Sequence, residues 1–324
     1  MFKPAKPAKF SAMRDYLPRI GARGSPLSLA QTSLVRAQLA ALMKRGAEEL
    51  PLQPFTTSGD VRQEGRLVEV GGKGLFTKEL DEALLDGRID LAVHSLKDLP
   101  TRLPEGIVLA AVPAREDPRD AFIAHDARSL ADLAPGSLVG TASLRRQAQT
   151  LHARPDLQVA IMRGNVDTRL RKLAEGQASA TYLALSGLKR LGLEQCFSSL
   201  VNPREAPPAP SQGALAITAR AGDERALALA AKLEDFGARL EIEMERAFLD
   251  ALEGSCRTPI GALARYENGA LDFLGEALTP DGAQRWRRET MLAGPTLATA
   301  RAKGAELGAA IKAEAGDLLK EALA

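Results

Sequence analysis

Seven Arg and Lys residues lie between Thr141 and Lys172, where only two acidic residues occur. An Arg guanidinium group presents a planar fork of N–H donors that binds a carboxylate or a phosphate through two hydrogen bonds. Helix N-termini, which the sequence places near Ser143 and Asn165, would add oriented backbone N–H groups. The set predicts a pocket for a small polyanionic ligand, whereas a solvated face with ion pairs is the simpler interpretation of any single Arg.

Two further acidic positions could carry chemistry. Lys97 and Asp98 follow a strand whose apolar residues end at Val93, and Pro100 fixes the direction in which the chain leaves. Both side chains are therefore expected at a crevice, where Asp98 can pair with a cationic group of a ligand or intermediate. Asp120, in the segment EDPRD, is expected to belong to a turn and hinge.

Cys256 lies in a loop, GSCRTP, that no helical or strand periodicity accounts for. A loop cysteine beside an arginine can be a nucleophilic thiolate. A hydrolase that pairs it with one of the three histidines stays possible, although none has a protease-like context. The other cysteine, Cys196, forms no Cys-x-x-Cys pattern, so we expect no metal site and a reducing, cytoplasmic compartment.

Composition argues against several other classes. The formal net charge is only +2, and the Arg-rich window contains no Phe, Tyr or Trp, so nucleic-acid binding is discounted. No stretch approaches the ~20 apolar residues of a spanning helix. The glycines at 71–74 lack the Ser or Thr that follows Gly-Lys in a phosphate loop. A mobile lid from about Gly59 to Phe76 is expected there, with a plain surface hairpin as the equal alternative.

From Ile20 to about Leu233, short apolar runs alternate with longer amphipathic runs, which is typical of α/β units with a parallel or mixed sheet. Ser25 followed by proline predicts a helix start. Polar segments follow successive strands, and the carboxyl ends of such strands share one edge of a sheet, so these segments are expected to converge on one site. The expected strands cover residues 89–93, 137–139, 158–162, 181–185 and 214–217.

Prolines at 203–210 indicate a domain crossing. Beyond Asp235 the pattern predicts one helix, the Cys256 loop, strands around Leu271–Leu274 and a closing helix from about Ala300 to Leu323. The predicted organisation is a flexible tail at 1–19, an α/β domain at 20–113 with 210–233, a second α/β domain at 114–209, and a small α+β domain at 234–324.

The ordered motifs resemble those of the porphobilinogen deaminase, or hydroxymethylbilane synthase, family. The resemblance runs from Ile20 to about Ala264. It rests on ARGSPL (22–27), GGKGLF (71–76), AVHSLKD (92–98), EDPRDAF (116–122), SLRRQ (143–147), RGNV (163–166), TRL (168–170), GLKRLG (187–192), QGA (212–214) and Cys256 with Pro259.

This resemblance implies two hinged domains of the type II periplasmic-binding-protein kind and a third, cofactor-bearing α+β domain. It implies a dipyrromethane cofactor bound covalently through Cys256, and Asp98 as the catalytic carboxylate. The implied cofactor-binding residues are Lys97, Ser143, Arg145, Arg146 and Arg169. The implied substrate-binding residues are Arg23, Ser25, Gln31, Phe76, Arg163 and Arg190.

The implied activity is a transferase of porphyrin and heme biosynthesis. It condenses four porphobilinogen molecules head to tail with release of ammonia, and then releases hydroxymethylbilane by hydrolysis. Asp98 would stabilise the cation left when ammonia departs. We expect a cytoplasmic monomer that binds neither nucleic acid nor membranes. The alternative is a solute-binding protein for a polycarboxylate, against which Cys256 and the lack of an export signal count.

Overall fold

The computed structural model describes residues 16–58, 76–254 and 258–319. These residues divide into two compact units. The first unit contains 16–58, 76–115 and 214–236, and the second contains the remaining described residues. Most of the expected tail, most of the expected lid, and Cys256 lie outside the described residues.

The described residues form strands and helices in the following order. The strands are β1 (Ile20–Arg23), β2 (Leu52–Phe55), β3 (Leu91–Ser95), β4 (Ile107–Ala111), β5 (Asp120–Ala124), β6 (Leu138–Gly140), β7 (Gln158–Ala160), β8 (Ala180–Ala184), β9 (Ser199–Leu200), β10 (Leu215–Arg220), β11 (Ile260–Glu267), β12 (Ala270–Leu278) and β13 (Arg285–Ala293). The helices are α1 (Pro26–Met43), α2 (Lys78–Leu85), α3 (Leu144–Ala153), α4 (Val166–Ala174), α5 (Leu185–Arg190), α6 (Glu224–Ala230), α7 (Phe236–Ala251) and α8 (Leu297–Ala315).

In the described part of the first unit, one mixed sheet has the strand order β2-β1-β3-β10-β4. Strand β1 is parallel to β2 and β3, whereas β10, from late in the chain, is antiparallel to β3 and β4. Helix α1 begins as the sequence predicts, because Ser28 N donates to Ser25 Oγ at 3.3 Å and Pro26 occupies the first turn. Its buried side packs on β1 and β3 around Val35 and Leu39.

The second unit repeats this arrangement. Its mixed sheet has the order β7-β6-β8-β5-β9, with β6 parallel to β7 and β8, and β5 antiparallel to β8. The later segment forms its own antiparallel sheet, β11-β12-β13, which α7 and α8 cover. Phe248 and Phe273 meet edge to face in that core, with ring centroids 5.3 Å apart. The predicted fold class, two α/β sheets and a separate α+β domain, is confirmed.

Element positions differ from the sequence-based predictions by a few residues. The strand predicted at 158–162 ends at Ala160. The closing helix, predicted from about Ala300 to Leu323, begins at Leu297 and spans Leu297–Ala315, and residues 320–323 of the predicted range lie outside the described residues. The two units change over at residues 115/116 and 213/214, and the second unit includes most of both the predicted second domain and the predicted third. None of the described helices has the length and apolar composition needed to cross a membrane.

Candidate active site

In the first unit, Arg23 and Asp98 lie side by side at the carboxyl edge of the sheet. Arg23 ends β1, and Asp98 ends the 3₁₀ turn Leu96–Asp98 directly after β3. Because β1 and β3 are parallel neighbours, their ends meet, and Arg23 Nη1 lies 3.7 Å from Asp98 Oδ2. The two side chains are 19% and 32% exposed, so both remain accessible to a ligand. This confirms the expectation that Asp98 faces a crevice.

The other predicted residues of this unit surround that pair. The Phe76 ring lies 4.3 Å from the Arg23 guanidinium carbon, a cation–π contact. Gln31 is buried and bonds reciprocally with Ser95, with its Nε2 2.9 Å from Ser95 Oγ. One cavity brings the set together. It is lined by Arg23, Ser25, Leu27, Ser28, Gln31, Phe76, His94, Ser95 and Asp98.

His94 also lines this cavity, and the sequence analysis did not predict it as a site residue. Its imidazole is buried, its Nε2 lies 3.2 Å from Thr218 Oγ1, and burial, with the nearby Arg23 charge, lowers the pKa of His94 to about 4. A neutral imidazole therefore lines the same cavity as Arg23 and Asp98 at neutral pH. The sequence could have shown this, since His94 belongs to the AVHSLKD motif and is separated from the turn Leu96–Asp98 by one residue.

In the second unit, Arg145 and Arg146 are buried in the first turn of α3. Arg146 Nη2 donates to Asp120 Oδ1 at 2.7 Å, and Arg145 Nη2 donates to Asp120 Oδ2 at 2.9 Å. Arg146 Nη1 also donates to the Tyr182 carbonyl at 2.8 Å. Ser143 caps α3, accepting from Arg146 N at 3.4 Å. The guanidinium groups of both arginines thus bind a carboxylate of the protein itself.

Asp120 corrects the sequence-based interpretation. It was expected in a turn and hinge network, but it opens β5 and is buried, and its carboxylate accepts four hydrogen bonds from three side chains, among them one from Gln212 Nε2 at 2.8 Å. Burial raises the pKa of this carboxyl, but the charges of Arg145 and Arg146 more than offset that, and the pKa lies well below its usual range. The sequence offered no local sign of this pairing, because the partners are 25 and 26 residues away.

Two other predicted site arginines of the second unit, Arg169 and Arg190, bond to backbone carbonyls. Arg169 Nε donates to the Gly164 carbonyl at 2.9 Å, and burial together with the charges of Arg146 and Arg163 lowers the pKa of Arg169 to about 10. Arg190 Nη2 donates to the Gly213 carbonyl at 2.6 Å, and burial lowers its pKa to about 10, against the opposing effect of Glu116. The lowered pKa of Arg169 beside two further arginines indicates a position that an added anion would stabilise.

Lys97 lies half-buried in the 3₁₀ turn that carries Asp98, in the first unit. Arg163 lies in the stretch between β7 and α4, and its carbonyl accepts from Lys172 Nζ at 3.1 Å. Cys256 lies outside the described residues. Among the residues that the structure does describe, no group of three His, Cys, Asp or Glu side chains could hold a metal ion.

Fold and site define an α/β protein with an accessible carboxylate–guanidinium pair in its first unit and several buried arginines in its second. This combination suits an enzyme that acts on a substrate rich in carboxylates. The pattern "porphobilinogen deaminase, dipyromethane cofactor binding domain" matches residues 18–228, and "porphobilinogen deaminase, C-terminal domain" matches 239–313. The chain belongs to the porphobilinogen deaminase family.

Curated relatives agree with the match. The porphobilinogen deaminase of Caulobacter sp. (strain K31) is 56% identical over 93% of this chain and 97% of its own length. That of Phenylobacterium zucineum (strain HLK1) is 54% identical over the same shares of both chains. The family's activity is a transferase, hydroxymethylbilane synthase, and its substrate is porphobilinogen.

Solved structures with a similar backbone include two bacterial binding proteins. A putative methionine-binding lipoprotein of Bacillus subtilis has a TM-score of 0.40 and 14% identity, over 68% of this chain and 92% of its own. A periplasmic substrate-binding protein of an ABC transporter from Coxiella burnetii has a TM-score of 0.41 and 15% identity, over 67% and 92%.

Proposed function

We propose that this chain condenses four porphobilinogen molecules head to tail on a covalent dipyrromethane primer, with release of ammonia, and then releases hydroxymethylbilane by hydrolysis. Family membership supports the reaction. The observation that carries the site assignment is the accessible Asp98 carboxylate, 3.7 Å from Arg23 at the end of β3.

The arginines of the second unit fit a cofactor that brings several carboxylates. Burial and the positive charges of Arg146 and Arg163 destabilise the charged form of Arg169, so a bound carboxylate would relieve the repulsion there. When bound, the dipyrromethane supplies the pyrrole carbon to which new units are added. We assign Lys97, Ser143, Arg145, Arg146 and Arg169 to the cofactor, and Cys256 as its covalent anchor.

Within that set, Arg145 and Arg146 act differently from Arg169. Asp120 already takes a hydrogen bond from each of their guanidinium groups, so a large part of their charge is compensated inside the protein. Each still has N–H groups beyond those bonds, since an arginine has five. Their proposed contribution is a rigid first turn of α3, in which the Ser143 cap and the remaining N–H groups are fixed in place.

The first unit is proposed to bind the incoming substrate and to stabilise its charge. Loss of ammonia from the aminomethyl group leaves a cation, and a carboxylate ~4 Å away stabilises a unit charge by ~4 kcal/mol at an effective dielectric near 20. Asp98 occupies that role, and Arg23 holds it in place and takes up a substrate carboxylate. The substrate-binding assignment covers Arg23, Ser25, Gln31, Phe76, Arg163 and Arg190.

The alternative of a solute-binding protein for a polycarboxylate rests on likeness of fold alone.

We also propose that the chain acts as a monomer in the cytoplasm and binds no nucleic acid, with the domain boundaries predicted from the sequence. A reducing compartment keeps the Cys256 thiol available for its thioether bond. Light scattering of the purified protein tests the monomer, and a salt titration with single-stranded DNA tests the absence of nucleic-acid binding.

The intact mass of the purified protein tests the covalent assignment. We expect an excess equal to two linked pyrrole units in the native chain and in Cys196→Ser, and none in Cys256→Ser. Cys196 is a matched control, because it is the other cysteine and lies half-buried in the turn Glu194–Cys196. If the native mass is unmodified and incubation with porphobilinogen adds nothing, the proposal fails and the solute-binding function replaces it.

A further inference from the structure

The second unit contains a cavity of about 770 Å³ between its two sheets. One wall comes from β5, the end of α3 and the segment after β9, and the other comes from β12 and β13. Of the residues assigned above to substrate or cofactor, only Arg146 lines it. Cavities of 300–1,000 Å³ at domain boundaries are typical of small-molecule sites, and an inorganic ion would fill only a small part of this one.

One part of the lining is apolar. Phe122 and Tyr182 are buried and meet edge to face, with ring centroids 5.6 Å apart. Leu200, Val201 and Leu278 extend this surface. Burying an apolar group against it contributes about 25 cal/mol per Å² of surface removed from water, so an occupant with an apolar body is favoured over a fully polar one.

The charged lining is positive once its internal pairs are counted. Glu276 is fully buried and neutralised by Arg287, with Nη2 2.9 Å from Oε2, while Gln149 Nε2 donates to its Oε1 at 2.9 Å. Arg154 and Arg204 take their ion-pair partners from outside the cavity. With Asp120 and Glu205, the lining contains three acidic residues against five arginines, so its formal charge is positive.

Arg285 is an exposed arginine of the cavity lining. It is exposed at the start of β13 and has no ion-pair partner among the residues that the structure describes. A guanidinium at the edge of an apolar cavity orients an anionic group toward solvent and the apolar body toward the interior. We propose that this cavity is an additional binding site for a small organic anion with an apolar body.

Through the inner wall of the cavity, such a ligand would be linked to the proposed cofactor-binding residues. Asp120 and Arg146 both line the cavity, and the same two residues form the buried ion pair at the start of α3. An occupant would thus contact the network that fixes the α3 turn on which Ser143 lies. The inference concerns binding and does not depend on the proposed reaction.

Equilibrium dialysis of the holoenzyme against 8-anilinonaphthalene-1-sulfonate tests the site, because this probe joins an aromatic body to one anionic group. We expect saturable binding at a single site per chain. Arg285→Glu should weaken it by about tenfold or more, corresponding to at least one lost charge-assisted contact. Ala206→Trp should abolish it, because Ala206 is a half-buried lining residue whose enlargement fills the cavity.

Arg88→Glu is the charge-matched control, since Arg88 is an exposed arginine of the first unit. Turnover of porphobilinogen by Arg285→Glu and Ala206→Trp at the native rate would show that both variants are folded. Absence of saturable binding to the native protein would overturn the proposal. Equal binding by the native protein and Ala206→Trp would also overturn it, because the probe would then occupy another place.

Discussion

Asp120 and Arg146 form a fully buried ion pair, in which Arg146 Nη2 and Nε lie 2.7 Å and 3.2 Å from the two carboxylate oxygens. The same carboxylate accepts from Arg145 and from Gln212, a residue of the segment that returns toward β10. Gln212 Nε2 also donates to the Pro118 carbonyl at 2.7 Å. One carboxylate thus joins the first turn of α3 to both chain segments at the boundary of the second unit.

Replacing Asp120 by Asn should destabilise the second unit severely. The change leaves two buried guanidinium groups without their counter-charge, and breaking a buried pair in this way costs about 3–5 kcal/mol. Denaturant unfolding measures the loss. Asp86→Asn is the control, because Asp86 is largely exposed and its pair with Arg88 spans 3.5 Å, so it should change stability by less than about 0.5 kcal/mol. Equal midpoints for the two variants would contradict the assigned role.

Asp98→Asn should leave stability nearly unchanged and lower turnover. The Arg23–Asp98 pair is partly exposed and 3.7 Å long, so its loss should change the free energy of unfolding by less than about 1 kcal/mol. Loss of ~4 kcal/mol of charge stabilisation corresponds to a decrease of about a thousandfold in kcat. Steady-state and single-turnover rates measure it, with Asp86→Asn again as control. Native kcat in Asp98→Asn would remove this carboxylate from the mechanism.

The sequence predicted features that are encoded locally and missed those that depend on tertiary contacts. The Ser25 cap was predictable because the cap, the proline and the first helical turn are consecutive. The crevice position of Asp98 followed from a strand ending before a polar turn. Asp120 was misplaced in a turn because the arginines that bury it lie on a later helix. The cavity beside β13 could not be predicted either, since its two walls come from segments 70 or more residues apart.

His94 makes the first unit sensitive to mild acid. Its folded-state pKa is about 4, below the ordinary value of 6.5, so between these values the unfolded chain binds a proton that the folded protein does not. Stability is therefore fully present above about pH 6.5 and falls as the pH drops toward 4, by about 3 kcal/mol at most. The comparison of His94→Gln with the native protein isolates this contribution, because other groups titrate in both. Parallel stability curves from pH 7 to pH 4 would refute it.

The helix pair of the C-terminal domain depends on a glycine where α8 crosses α7. A Cβ added at Gly304 would lie 2.2 Å from the Met244 carbonyl oxygen of α7, and the backbone there cannot move without separating the helices. Alanine normally favours a helix by ~1 kcal/mol over glycine, but overpacking of a core costs about 1–3 kcal/mol. Gly304→Ala should therefore lower the denaturant midpoint. Gly222→Ala, where nothing lies within 4 Å of the added Cβ, should leave it unchanged. A higher midpoint for Gly304→Ala would show that helix propensity outweighs the close approach of the two helices.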